Sequence, residues 1–85
     1  MVKISQIVVT EKFEHDVKKI KDRHLRNRID KEVQIIVENP ELGKPLRYGL
    51  KGELTIRIKP YRLIYKVDGI NLILLRFEHR QDVYD

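Results

Sequence analysis

The sequence predicts an α+β domain of two layers, with its elements in the order strand, helix, helix, strand, strand, strand. Three observations predict it. Apolar residues recur at spacings of three and four between Phe13 and Val37, and the period changes to two from Leu54 onward. Between the two regimes runs ENPELGKPLRYGLKG, 15 residues with two prolines and three glycines, the strongest punctuation in the chain. A striped helical hairpin and an alternating sheet bury their apolar sides against each other, which places both helices on one face of a three-stranded antiparallel meander. At 85 residues the chain holds one domain, residues 1–85, with a small core.

The elements follow in order. VKISQIVV is rich in β-branched residues and reads as the first strand, ending at Thr10, a good N-cap for a helix. From Glu11, the spacing of Phe13, Val17 and Ile20 and the placing of Glu14 four residues before Lys18 predict a short amphipathic helix. Leu25, Ile29, Val33, Ile36 and Val37 predict a second helix, ending near Asn39 because Pro40 disfavours helical geometry in the residue before it. Between them KDRHLRNR reads as a solvated turn and helix start. The proline- and glycine-rich stretch is expected to be one long connection. Leu54, Ile56 and Ile58 then alternate with Thr55, Arg57 and Lys59, giving a strand with one apolar and one basic face. Pro60 marks a turn, YRLIYKV the next strand, Asp68-Gly69 a hairpin turn, and NLILLRF the last strand.

Charge is unevenly distributed. Residues 1–42 carry nine basic and eight acidic side chains, residues 43–67 seven and one, and residues 68–85 two and four. The net charge of +5 therefore reflects one segment, in which Lys44, Arg47, Lys51, Arg57, Lys59, Arg62 and Lys66 face Glu53 alone. Such a concentration suits a phosphate-bearing or acidic partner, and equally suits a strand edge kept basic against aggregation. The absence of cysteine excludes disulfides and thiolate zinc sites. The opening MVKISQIVVTEKF has neither a signal-like apolar core nor a membrane span, so a cytoplasmic location is expected. No phosphate-cradling glycine loop, Gly-x-Ser-x-Gly or His-Glu-x-x-His occurs. His15, His24 and His79 have no spacing that suggests a metal site, and neither metal nor cofactor is expected.

What remains is Arg57, Arg62, Arg76, His79, Arg80 and Tyr84. The reversal at Asp68-Gly69 returns the end of the last strand beside residues 61 and 62. Arg62 is thus expected close to His79 and Arg80, with the Tyr84 tail folded over the basic face. RNA carries its own nucleophile, the 2′-hydroxyl. A protein cuts it without metal by aligning that group with the phosphate and stabilising the negative charge that develops. Arginines supply the charge, a histidine or tyrosine moves a proton, and Tyr84 is equally suited to stack on a base. Taken singly, His79 also reads as an ordinary strand-end residue and Tyr84 as a clamp on the terminus.

NPELGKPLRYGLKGELTIRIKPYRLIYKVDGINLILLRFEHRQDVYD resembles the C-terminal half of the RelE/ParE toxin superfamily in its Asn-Pro-Glu-Leu-Gly-Lys-Pro-Leu-Arg lead-in, Leu-Lys-Gly step, Arg57, Tyr61-Arg62 pair, Asp-Gly hairpin and closing His-Arg-x-x-Val-Tyr. With the strand-helix-helix front, the resemblance spans the chain. The RelE branch implies a toxin of a type II toxin–antitoxin system, a ribosome-dependent mRNA endonuclease held inactive by a cognate antitoxin. On that resemblance Arg57, Arg62, His79, Arg80 and Tyr84 are expected to be catalytic, and Lys44, Arg47, Lys51, Lys59 and Arg76 to bind RNA. The expected partners are an antitoxin with an acidic amphipathic helix, the ribosome and mRNA, with no membrane. The ParE branch implies the same fold used to poison DNA gyrase without cutting RNA, and a degenerate member would bind its antitoxin only. Thr55 stands where some RelE nucleases carry lysine, Glu78 where a small residue is usual, and Pro60 where glycine is common.

Overall fold

Thr10 is where the first strand becomes the first helix. In the computed structural model, which describes residues 3–46 and 52–79, strand β1 (Gln6–Val9) ends there and helix α1 (Glu11–Lys18) begins. The Thr10 hydroxyl accepts from the Phe13 backbone N–H at 3.1 Å, satisfying a donor of the first turn. The same hydroxyl lies 2.9 and 3.0 Å from the carbonyl oxygens of Leu74 and Leu75, so the cap also ties α1 to the far end of the sequence. Asp22 caps helix α2 (Arg23–Glu38) by accepting from the His24 and Leu25 N–H groups. Arg26 reaches back from α2 to the carbonyl oxygens of Ile20 (2.6 Å) and Val17 (3.4 Å), placing a cation where α1 ends. Most of the polar KDRHLRNR stretch is therefore helix, and one of its arginines closes the hairpin. Asn39 ends α2 outside helical geometry, which Pro40 disfavours in the residue before it.

Strands β2 (Lys44–Pro45), β3 (Leu54–Ile58), β4 (Tyr61–Asp68) and β5 (Asn71–His79) complete a five-stranded sheet in the order β1-β5-β4-β3-β2. The meander β3-β4-β5 is as the alternation predicts, with Gly69 at φ +61° serving the Asp68-Gly69 turn. Two features depart from expectation. The stretch read as one long connection contains β2, which adds a short antiparallel rung to β3. The first strand is shorter than VKISQIVV and runs parallel to β5, making the sheet mixed. The meander fills one edge of β5 and leaves the other open, and β1 pairs there as an edge strand with Ile7, Val8 and Val9 exposed.

A register shift between Ile64 and Tyr65 decides which side chains face the helices. Ile64 opposes Arg76 and Tyr65 opposes Leu74, so Leu75 is an extra residue on β5. Before it, Leu72 and Leu74 point to the core; after it, Phe77 and His79 do, and Arg76 and Glu78 are turned to the other side. Without that insertion strict alternation would bury Arg76. The core so formed contains Phe13, Ile29, Ile36, Ile58, Leu63, Tyr65, Leu72, Leu74 and Phe77, with the Phe13 ring edge-on to Phe77 at 6.4 Å. A fully enclosed residue such as Ile36 or Leu63 contributes about 1.5–3 kcal/mol by burial. Beyond Leu74, β5 has outgrown β1, and α1 takes over as its neighbour. Buried Asp16 accepts from the Phe77 N–H at 3.0 Å and pairs with Lys12, so the exposed rung of the ladder is satisfied by a side chain.

Candidate nucleic-acid interface

The face of the sheet away from the helices carries the basic residues. Cross-strand partners share a face, so Arg57, Arg62 and Glu78 form one row across β3, β4 and β5, and Lys44, Thr55, Ile64 and Arg76 another. Arg57 and Arg62 stand directly opposite one another beside the β3–β4 turn, where a small cleft is lined by Arg57, Lys59, Pro60, Tyr61 and Arg62. Like charges at directly opposed positions destabilise a sheet, and an anion between them removes the penalty. Arg57 and Lys59 are exposed, while Arg62 is half-buried at the cleft wall. The expected basic face is therefore present at this turn.

Arg76 is placed differently from expectation. Its guanidinium forks onto buried Glu53, with Nη2 donating to Oε1 at 2.8 Å and Nη1 to Oε2 at 3.2 Å, while Nε donates to Glu78 Oε1 at 2.7 Å. The Glu53 hydrogen bonds, more than any other contact, hold its pKa well above the ordinary arginine value. Two carboxylates balance this cation, so in the free protein it is held in a structural ion pair. Sequence could not disclose this, because Glu53 lies 23 residues away.

His79 also departs from expectation. It opposes Tyr61, not Arg62, and the two rings meet edge-on at 5.2 Å; Tyr61 in turn stacks on Phe77 at 4.7 Å and 12°. Arg62 and His79 occupy neighbouring positions but opposite faces, a result of the two-residue period. His79 thus packs against Tyr61, which lines the cleft and is the cleft residue that charge alone does not point to. Lys44 is exposed on β2, opposite Thr55, one row from the cleft. Arg47, Lys51, Arg80 and Tyr84 lie outside the described residues.

The lead-in that carries Lys44 is fixed by one buried hydroxyl. Tyr65 donates to the Pro40 carbonyl oxygen and accepts from the Gly43 N–H, each at 2.8 Å. A Cβ on Gly43 would lie 2.7 Å from that oxygen, so only glycine admits the approach. Burial raises the Tyr65 pKa above its ordinary value, partly opposed by the Gly43 hydrogen bond. Among the described residues no three metal-ligating side chains converge, and no helix is long and apolar enough to cross a membrane.

A helical hairpin on one face of a mixed five-stranded sheet is the fold of RelE-like toxins, and places the chain in the RelE/ParE toxin superfamily. The model for the ParE toxin of type II toxin–antitoxin system, ParDE, matches residues 7–84, and the chain belongs to that family. Toxin RelG of Mycobacterium tuberculosis is 42% identical over 45 residues, 51% of this chain and 52% of the relative, so the chain matches about half of that relative's length. The toxin–antitoxin complex RelBE2 of the same organism superposes with a TM-score of 0.73 at 29% identity, covering 88% of this chain and 96% of that one. The Escherichia coli DinJ–YafQ toxin–antitoxin complex gives 0.79 at 20% identity over 99% and 100%, a likeness of fold alone.

Proposed function

We propose that this toxin is a metal-independent endoribonuclease that cuts mRNA on the ribosome and so stops translation in the cytoplasm. The observation that carries the reading is the facing pair Arg57 and Arg62 at the cleft. In the proposed reaction the 2′-hydroxyl oxygen bonds to the adjacent phosphorus as the bond from phosphorus to the 5′-oxygen breaks. The 2′-proton leaves to a base and the 5′-oxygen gains one, giving a cyclic phosphate and a free 5′-hydroxyl. Extra negative charge develops on the non-bridging oxygens during this exchange, and guanidiniums fixed on two paired strands meet it without reorganising. Lys59 adds attraction for the neighbouring backbone, and Tyr61 lines the cleft beside it. Arg80 and Tyr84 keep the catalytic roles expected from sequence, with Tyr84 the candidate for moving a proton or stacking on a base. His79 acts as a positioning residue for Tyr61.

The match to a ParE model favours a second reading, in which the same basic face binds DNA gyrase. Translating ribosomes and supercoiling gyrase, each incubated with the protein, separate the two. Cut mRNA with normal supercoiling is expected; intact mRNA with inhibited gyrase overturns the nuclease reading. The proposed partner in the resting state is an antitoxin whose acidic helix covers the basic sheet face. Such a partner is steered by charge, so raising salt should slow association much more than it speeds dissociation in stopped-flow mixing, and a salt-independent association rate would contradict it.

A further inference from the structure

The charge of the helical layer is as concentrated as that of the sheet, but averaging over residues 1–42 conceals it. Residues 18–31 hold seven basic side chains against Asp22 and Asp30, and Asp22 is occupied in capping α2. Arg26 is occupied in closing the helix hairpin. His24, Arg28 and Lys31 recur at spacings of four and three on one flank of α2, all exposed, over roughly 10 Å of helix at 1.5 Å per residue. The direction of that flank is set by a contact. Arg28 Nη1 donates to the Lys59 carbonyl oxygen at 3.4 Å, across 31 residues, so the flank borders the β3–β4 turn whose other side is the cleft. Among the described residues, none of Arg28, Lys31 and Lys59 is in an ion pair, and Glu32, four residues beyond Arg28, does not form one with it. A cationic track thus runs from Arg57 and Arg62 past Lys59 to Arg28 and Lys31.

We propose that this α2 flank is a second RNA site, gripping the phosphates of the same strand after it leaves the cleft. The inference rests on the reading of the cleft as an RNA site. Its chemistry is that of a backbone contact: exposed cations on a helix bind phosphate irrespective of sequence. A strand that leaves the cleft over the turn meets Lys59 and Arg28, which lie together there. The contact would lengthen the footprint and hold the reacting nucleotide in place without touching it.

The test is the dependence of binding on strand length. Oligoribonucleotides of about five and about twelve nucleotides, the shorter filling the cleft alone, are titrated into the parent and into the double variant Arg28→Ala, Lys31→Ala. The parent should bind the longer strand more tightly, on the order of tenfold at low salt, with a slope against log salt steeper by about 0.7 per added phosphate. The double variant should bind both lengths alike and match the parent on the short one, with a thermal midpoint that changes little, because both residues are exposed and the Arg28 hydrogen bond is long and solvent-facing. Arg28→Glu should go further and prefer the short strand. If the double variant keeps the parent's gain with length, the second site is refuted while the cleft stands. If the parent binds neither strand, the RNA reading of the cleft falls and takes this inference with it.

Discussion

The open face of the sheet contains two arginine-bearing rows only a few residues apart, and they have opposite characters. At Arg76 the sheet supplies its own anions: Glu53 takes both ends of the guanidinium fork and Glu78 takes Nε. At the β3–β4 turn, Arg57 opposes Arg62, and the remaining cleft wall is Lys59, Pro60 and Tyr61. Arg76 is enclosed by two carboxylates, whereas Arg57 and Arg62 border a cleft, with Glu78 beside Arg62 in its row. The contrast shows that a basic segment is not in itself a binding surface. A guanidinium forked onto a buried carboxylate is committed to it, whereas one at a cleft wall can still face a ligand.

Three experiments sharpen or break that contrast, beginning with the largest effect. Arg62→Ala should lower single-turnover RNA cleavage by about 10²–10³, the scale of losing one preorganised donor, while binding changes far less because Arg57 and Lys59 remain. Cleavage at the parent rate with a lowered thermal midpoint would move Arg62 into the same class as Arg76. Arg76→Ala should do the reverse. It leaves buried Glu53 without its fork and should cost about 1–3 kcal/mol of stability, read by chemical denaturation, with cleavage per folded molecule preserved. A rate loss larger than the stability loss would show that the balanced cation also serves the RNA.

The smallest effect tests the frame behind both rows. Tyr65→Phe removes the hydroxyl that holds Pro40 and Gly43, and should cost about 1–2 kcal/mol. Its pH dependence is distinctive. Because burial raises the folded-state pKa of Tyr65 above 10, its contribution is fully present below about pH 10 and is lost as pH rises through the folded value. The difference in stability between parent and variant should therefore be constant through neutral pH and shrink above pH 10. A constant difference up to pH 11 would mean that the phenol titrates freely.

Much of this architecture is legible in the sequence because periodicity is a local property. Phe13 to Val37 show a helical stripe, Leu54 to Ile58 an alternation, Thr10 a cap, and Asp68-Gly69 a turn, and each corresponds to an element. What escaped depends on distant partners. β2 is two residues long and has no period to detect, and the parallel pairing of β1 is dictated by the free edge of β5. The extra residue at Leu75 lies inside the apolar run LILL, where either face is acceptable to either side chain. That insertion puts His79 with Tyr61 and Arg76 with Glu53, so the departures in the site follow from a single unread bulge. The facing of Arg57 and Arg62 needs only the short β3–β4 turn, yet read from the sequence, charge and topology point Arg62 toward His79 and Arg80 instead.

The pairing of β1 with β5 also bears on how the molecule is made. The first strand to leave a ribosome has as its partner the last, and Thr10 and Asp16 wait for carbonyl and amide groups more than 60 residues downstream. Contacts of such separation form late, after the loop between them has been closed. The meander and its arginine rows can assemble from residues 52–79 on their own chain order, but the helical layer has no sheet to cover until β5 emerges. The helical layer therefore depends for its cover on a strand more than 60 residues further along the chain.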